Sequence, residues 1–256
     1  NGDGYDDQVI GSGYGLSPEV YIFYGNSSGI SDTPDNILTN PGVTSNFFGA
    51  KLASAGDLNG DGYGDIVVGA ELHSIDVDTN NVGSAYVYYG SELGIIDLPS
   101  STLLPPEIVP NMLFGSSVNT AGDLNGDGFD ELVIGAPNAL VDEEMNGTVY
   151  VYNGSASGLS TEPSVILTPD DNAENSKFGA AASFAGDING DGYADLAVGA
   201  PLQDGIIKGI KRRNTGFIYL YFGSDSGIST TADLLEMGSR DMMLGDSIFP
   251  GGDLNG

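Results

Sequence analysis

The run Ala55-Gly-Asp57-Leu-Asn59-Gly-Asp61-Gly62-Tyr63-Gly-Asp65-Ile-Val-Val-Gly69-Ala70 decides how this 256-residue chain folds. Oxygen-bearing side chains stand at alternate positions from Asp57, and Gly62 occupies the sixth position. Calcium takes six to eight oxygen ligands, and loops that hold it supply them from alternate positions, with a glycine at the sixth for the sharp turn. The β-branched residues that follow, bounded by turn formers, predict a strand. The side chains of Asp57, Asn59, Asp61 and Asp65 and the carbonyl of Tyr63 are therefore the expected ligands in a hairpin between two strands.

The same loop recurs. It begins again at Asp123, Asp187 and Asp253, with spacings of 66, 64 and 66 residues, and a fixed period of this kind marks a repeat architecture. In the second copy the expected ligands are Asp123, Asn125, Asp127 and the Phe129 carbonyl. Position nine there is Glu131, one carbon longer, beside Asp130, which leaves the last ligand of that loop open. In the third copy the roles fall to Asp187, Asn189, Asp191, Asp195 and the Tyr193 carbonyl. Half-loops stand at the two ends: Asn1, Asp3, Tyr5 and Asp7 match the second half, Asp253 and Asn255 the first. The chain is expected to continue beyond both, because Asn1-Gly2 and Asn255-Gly256 occupy the same loop positions.

Two carboxylates about 4 Å apart repel by roughly 4 kcal/mol at an effective dielectric near 20, so such clusters favour a bound cation. Magnesium fits less well, since it prefers a tighter octahedron and retains its waters. A plain Asx turn is the competing reading of any single copy. Recurrence of the whole pattern argues against it.

Each unit has the same order of parts. It opens with Phe48-Gly49, Phe114-Gly115, Phe178-Gly179 or the variant Leu244-Gly245, and a run of small residues leads into the metal loop. That run predicts a first strand packed where only small side chains fit. The second strand closes with Gly-Ala, as in Leu132-Val-Ile-Gly135-Ala136-Pro137. The third alternates aliphatic and aromatic residues, as in Ser84-Ala-Tyr-Val-Tyr-Tyr89 and Thr148-Val-Tyr-Val-Tyr152, which predicts two buried faces. A glycine turn and a weaker fourth segment such as Val165-Ile-Leu-Thr168 complete the unit. Four short antiparallel strands repeated radially predict an all-β propeller of four-stranded blades. The expected divisions are 1–47 (partial blade), 48–113, 114–177, 178–243 and 244–256 (first strand of a further blade).

Thirty-six acidic against seven basic residues give a net charge of −29, which opposes binding to nucleic acid or to an anionic membrane surface. No apolar run is long enough for membrane insertion of this segment. With no cysteine and one histidine, His73, in a polar insertion, an active site has little to be built from, and an enzyme is not expected. Gly25-Asn-Ser27-Ser-Gly29 matches a nucleophile-elbow pattern, but it sits at an ordinary strand connection that recurs in other units.

The combination of Phe-Gly, the Asp-x-Asn-x-Asp-Gly loop and Gly-Ala-Pro resembles the FG-GAP repeat of integrin α-subunit propellers and their bacterial relatives. The resemblance implies a propeller, typically of seven blades, with calcium held between the first two strands of a blade. About four units are present, so a seven-bladed ring requires more chain. The resemblance also implies ligand-binding loops on the opposite face and a role in adhesion or partner recognition, here with a protein or glycan ligand. The expected setting is extracellular or at the cell surface, where free calcium fills weak sites. The alternatives are a purely structural calcium-stapled repeat and a lectin-like or enzyme-associated propeller. The second-to-third connections, Glu71 to Val82, Asn138 to Gly147 and Leu202 to Gly216, vary in sequence as a binding face would. The last of them concentrates Lys208, Lys211, Arg212 and Arg213, a candidate patch for an acidic group on a partner.

Overall fold

The computed structural model describes residues 1–42, 47–76, 78–169, 173 and 175–250. Every regular element among them is a β-strand. A three-stranded antiparallel sheet comes first, in the order β1 (Gln8–Gly11), β2 (Glu19–Phe23) and β3 (Asn36–Thr39). Two four-stranded meanders follow. One is β4 (Lys51–Gly56), β5 (Asp65–Ala70), β6 (Ser84–Tyr88) and β7 (Ser101–Leu103); the next is β8 (Ser117–Gly122), β9 (Glu131–Ala136), β10 (Thr148–Tyr152) and β11 (Val165–Leu167). The last blade pairs β12 (Ala181–Gly186), β13 (Asp195–Ala200), β16 (Phe217–Tyr221) and β17 (Leu234–Met237).

Between β13 and β16 the chain adds a separate hairpin, β14 (Gly205–Ile207) with β15 (Ile210–Arg212). The sequence reading treats Leu202 to Gly216 as a plain connection, and the structure corrects it. Lys208 and Gly209 take φ of 53° and 76°, the doubly positive pair that a two-residue hairpin turn requires.

The core lies between blades. β5, β9 and β13 are buried along their whole length, and so are β6 and β10, as expected of sheets stacked on both faces. β16 and β2 instead alternate buried with half-buried residues. Val67, Val87 and Leu103 of one blade pack with Phe114, Ile134 and Tyr150 of the next in a single cluster. The Phe that opens each unit is fully buried and meets a third-strand tyrosine edge-on: Phe48 with Tyr86 at 5.7 Å, Phe114 with Tyr150 at 5.5 Å, Phe178 with Tyr219 at 5.0 Å. Such T-shaped contacts add to the area buried.

The two glycine motifs of the repeat meet across the blade boundary. A Cβ on Gly69, Gly135 or Gly199 would lie 2.2, 2.0 or 1.9 Å from the carbonyl oxygen of Gly115, Gly179 or Gly245. The glycine closing each second strand is thus required by the Phe-Gly turn of the following blade.

The first strands β4, β8 and β12 stand side by side and, with β1, surround a cavity of about 460 Å³ lined by Ile10, Lys51, Val118 and Ala181. β4 is only partly buried and Lys51 is exposed. The small side chains of the first strands therefore face a crowded but open axis rather than a closed core.

Candidate metal loops

Each first strand ends in a register shift, between Ser54 and Gly56, Thr120 and Gly122, and Phe184 and Gly186. Gly56, Gly122 and Gly186 take φ of 74°, 71° and 90° there, the left-handed conformation of a glycine bulge. The bulge opens the hairpin and sets the next aspartate at its mouth.

In the first full loop Asp57 Oδ1 accepts the N–H groups of Gly60 at 2.7 Å and Asp61 at 3.1 Å, and Oδ2 accepts that of Gly62 at 2.9 Å. Asn59 Oδ1 accepts from Asp61 N, Asp61 Oδ1 accepts from Tyr63 N, and Asn59 Nδ2 donates to Asp61 Oδ2. The loops at Asp123 and Asp187 repeat all six bonds with Asn125 and Asp127, and with Asn189 and Asp191. The N-terminal half-loop keeps its share: Asn1 Oδ1 accepts from Asp3 N and Asp3 Oδ1 from Tyr5 N. The half-loop expected at Asp253 and Asn255 lies outside the described residues.

Position nine differs between loops. Asp65 is buried, with Oδ2 accepting from Leu58 N at 2.9 Å and Oδ1 from Gly90 N at 2.8 Å. Asp195 is held in the same way by Ile188 N at 2.7 Å and Gly223 N at 3.0 Å. Asp7 Oδ1 likewise accepts from Gly25 N. Glu131 Oε2 accepts from Leu124 N at 2.8 Å, while its buried Oε1 has no partner. Burial pushes the Asp65 carboxyl up to about 6, against the pull of the Gly90 and Leu58 donors, with Asp61 and Asp57 adding repulsion. Burial pushes Glu131 up to about 8, and Asp127, Asp123 and Asp130 raise it further.

Among the described residues no group of three or more His, Cys, Asp or Glu side chains has the arrangement of a metal centre. Backbone N–H groups bonded to side-chain oxygens hold these turns. A carboxylate offers about four acceptor sites, so the loop oxygens retain capacity for a hard cation. The orphaned Oε1 of Glu131 is the feature that fits one best, since a buried carboxyl oxygen without a partner is costly.

Side chains that the sequence reading assigns no part also connect the loops. The ring at position seven lies on a glycine of the preceding loop: a Cβ on Gly2, Gly60 or Gly126 would meet Tyr63, Phe129 or Tyr193 at 2.7, 2.4 or 2.7 Å. Asp130 Oδ2 accepts from Asp57 N at 2.8 Å, and Asp130 N donates back to the Asp57 carbonyl. Its only visible signal is an acid where Gly64 and Ala194 stand in the neighbouring loops. The hydroxyls of Tyr24 and Tyr89 each accept from the turn of the following blade, Ile95 N and Leu159 N, both at 2.7 Å.

The four basic residues fall on the β14–β15 hairpin and its exit, at the ends of the strands opposite the loops. Lys208, Lys211 and Arg213 are exposed, Arg212 is half-buried, and Lys211 pairs with Asp204 at 3.4 Å. His73 is half-buried rather than free in solvent, and burial lowers its pKa. Among the described residues no helix is long and apolar enough to cross a membrane.

Comparison with known proteins finds the FG-GAP repeat at residues 48–88, 114–152 and 178–221. Integrin alpha-PS5 of Drosophila melanogaster is 38% identical over 60% of this chain and 15% of its own length. Integrin alpha-5 of Xenopus laevis is 34% identical over 77% of this chain and 18% of its length. Phosphatidylinositol-glycan-specific phospholipase D of Bos taurus is 38% identical over 61% of this chain and 19% of its length. The chain thus spans less than a fifth of each of these relatives.

Proposed function

The chain belongs to the FG-GAP β-propeller family, and on that basis we propose that it is a calcium-binding module for adhesion or partner recognition at or outside the cell surface. The observation that supports this is the repetition of one oxygen-rich loop. Three described units place the same carboxylates and the same asparagine in the same hydrogen-bonded turn. Calcium would be held by Asp57, Asn59, Asp61, Asp65 and the Tyr63 carbonyl, and by the matching residues from Asp123 and Asp187. Bound there, it would neutralise part of an acidic face and stiffen the hairpins.

The integrin relatives favour recognition of a protein or glycan ligand, and the phospholipase D relative favours an enzyme-associated propeller as the second reading. The chain's own residues support a non-enzymatic role: cysteine is absent from the sequence, and the single histidine is half-buried in a connection.

A melt with calcium and with EGTA tests the calcium reading. A ligand that binds only the folded state at 100 times its Kd adds about 2.7 kcal/mol per site. Calcium is expected to raise the midpoint clearly, and magnesium at equal concentration less. An unchanged midpoint overturns the assignment.

A further inference from the structure

The three full loops share Asp, Asn, Gly, Asp and Gly at positions one, three, four, five and six, and their carboxylates part at the ninth. In two of them each oxygen of the ninth carboxylate accepts a backbone N–H. Asp65 spans Leu58 N and Gly90 N, and Asp195 spans Ile188 N and Gly223 N, one donor to each oxygen. The first donor lies in the loop and the second after the third strand, so each aspartate ties hairpin to sheet with backbone groups alone.

Glu131 breaks the pattern. Its longer arm still reaches Leu124 N through Oε2, but Oε1 accepts from nothing. The residue is 1% exposed, and no protein donor reaches that oxygen. Glu131 also lines a cavity of about 340 Å³ together with Asn125, Asp127, Asn153 and Asp225, and no Lys, Arg or His is among its walls. The protein supplies no cation of its own to this oxygen, and the neighbouring side chains are oxygen donors suited to a hard divalent ion.

We infer that Glu131 makes the loop at Asp123 the calcium-dependent one of the three, a bound cation supplying the partner that Oε1 lacks. The loops at Asp57 and Asp187 keep their hairpins through backbone hydrogen bonds with or without metal. Loss of calcium is therefore felt first in the blade of β8 to β11 and at its boundary with the blade of β12 to β17. This inference rests on the calcium reading above.

The experiment compares the full chain with Glu131→Gln, Glu131→Asp and Asp57→Asn by thermal melting in calcium chloride and in EGTA, with calorimetric calcium titration beside it. Gln keeps the length without the charge. Asp restores the arm that spans both donors in the sibling loops. Both variants are expected to lose more than half of the wild-type drop in midpoint on chelation. Asp57→Asn is expected to lower calcium stoichiometry and to remove a smaller share of that drop than either Glu131 variant. A Glu131→Gln or Glu131→Asp protein as sensitive to EGTA as wild type overturns the inference while leaving the calcium reading intact. A wild-type chain indifferent to EGTA overturns both.

Discussion

At one end of the strands the hairpins at Asp57, Asp123 and Asp187 are near copies; at the other, the connections from β5 to β6, β9 to β10 and β13 to β16 share a neck and a seat on the next blade. That neck consists of two backbone bonds. The third residue after the strand donates back to its last alanine, as in His73 to Ala70, Ala139 to Ala136 and Gln203 to Ala200. A residue at the start of the next strand or just before it then donates to that same third residue: Gly83 to His73, Gly147 to Ala139, Gly216 to Gln203. Each connection is also seated on the segment that opens the following blade, Phe114 N donating to the Val82 carbonyl, Phe178 N to that of Asn146 and Leu244 N to that of Thr215. What lies between differs from blade to blade. It holds an Asp76 turn in one blade, the Val141–Glu144 bridge in the next and a complete hairpin in the last. Loops whose side chains bond their own backbone at fixed offsets cannot accept an inserted residue, whereas the connections accept different insertions between their two fixed ends.

The largest expected effect breaks what both ends depend on, the approach of neighbouring blades. Gly135→Ala would put a methyl carbon 2.0 Å from the backbone oxygen of Gly179. Neither atom belongs to a flexible side chain, so relief requires the blades to part. The expected cost is about 3 kcal/mol or more, read as a lower urea midpoint. A variant within error of wild type would show that the boundary is far more pliant than this contact implies.

A smaller effect sharpens the difference between the ends. Asp195→Ala removes the acceptor of Ile188 N and Gly223 N in a fully buried position. Stranding buried donors costs about 1–3 kcal/mol each, reduced where the structure relaxes, so a loss of about 2 kcal/mol is expected. Measuring it in EGTA separates this bond pair from any metal contribution. Survival of Asp195→Ala at wild-type stability in EGTA would mean that the turn does not rely on its ninth residue.

What was legible in the sequence was local. The Asp-x-Asn-x-Asp-Gly loop shows itself because its interactions fall within nine residues, and the buried β5, β9 and β13 show themselves as unbroken apolar runs. The contact of Gly69 with Gly115 was not legible, because the two motifs are adjacent only after blades stack. The same holds for Asp130 on Asp57, for Tyr89 on Leu159 and for the ring of Phe129 on Gly60. Ile206 to Arg212 carried a hairpin signal in Lys208-Gly209, but three-residue strands are too short for alternation to stand out. Glu131 was visible as a departure, yet only side-chain geometry shows which of its oxygens is left over.

The smallest expected effect on stability, and the most informative about the variable end, comes from replacing Lys211, Arg212 and Arg213 together by serine. These residues stand on or beside a hairpin that projects beyond the neck of the last blade, and the one ion pair among them, Lys211 with Asp204, is largely exposed. Exposed pairs contribute about 0–1 kcal/mol. The Arg213 contact with Asp241 runs through its backbone carbonyl and survives the change. The melt and its response to calcium should therefore shift by no more than about 0.5 kcal/mol. Binding should not be so indifferent. In a chain of net charge −29 an acidic probe is repelled almost everywhere, and at 0.1 M salt that repulsion is screened beyond about 10 Å, which leaves the hairpin as the place where a carboxylate-rich ligand gains. A glutamate-rich peptide titrated at 0.1 M salt is expected to bind the parent chain and to lose affinity by about tenfold in the triple variant, since close charge pairs of this kind set association and specificity. Equal affinity of the two proteins for that peptide would remove the hairpin from the proposed recognition surface and return its charge to the solvation of an exposed insertion.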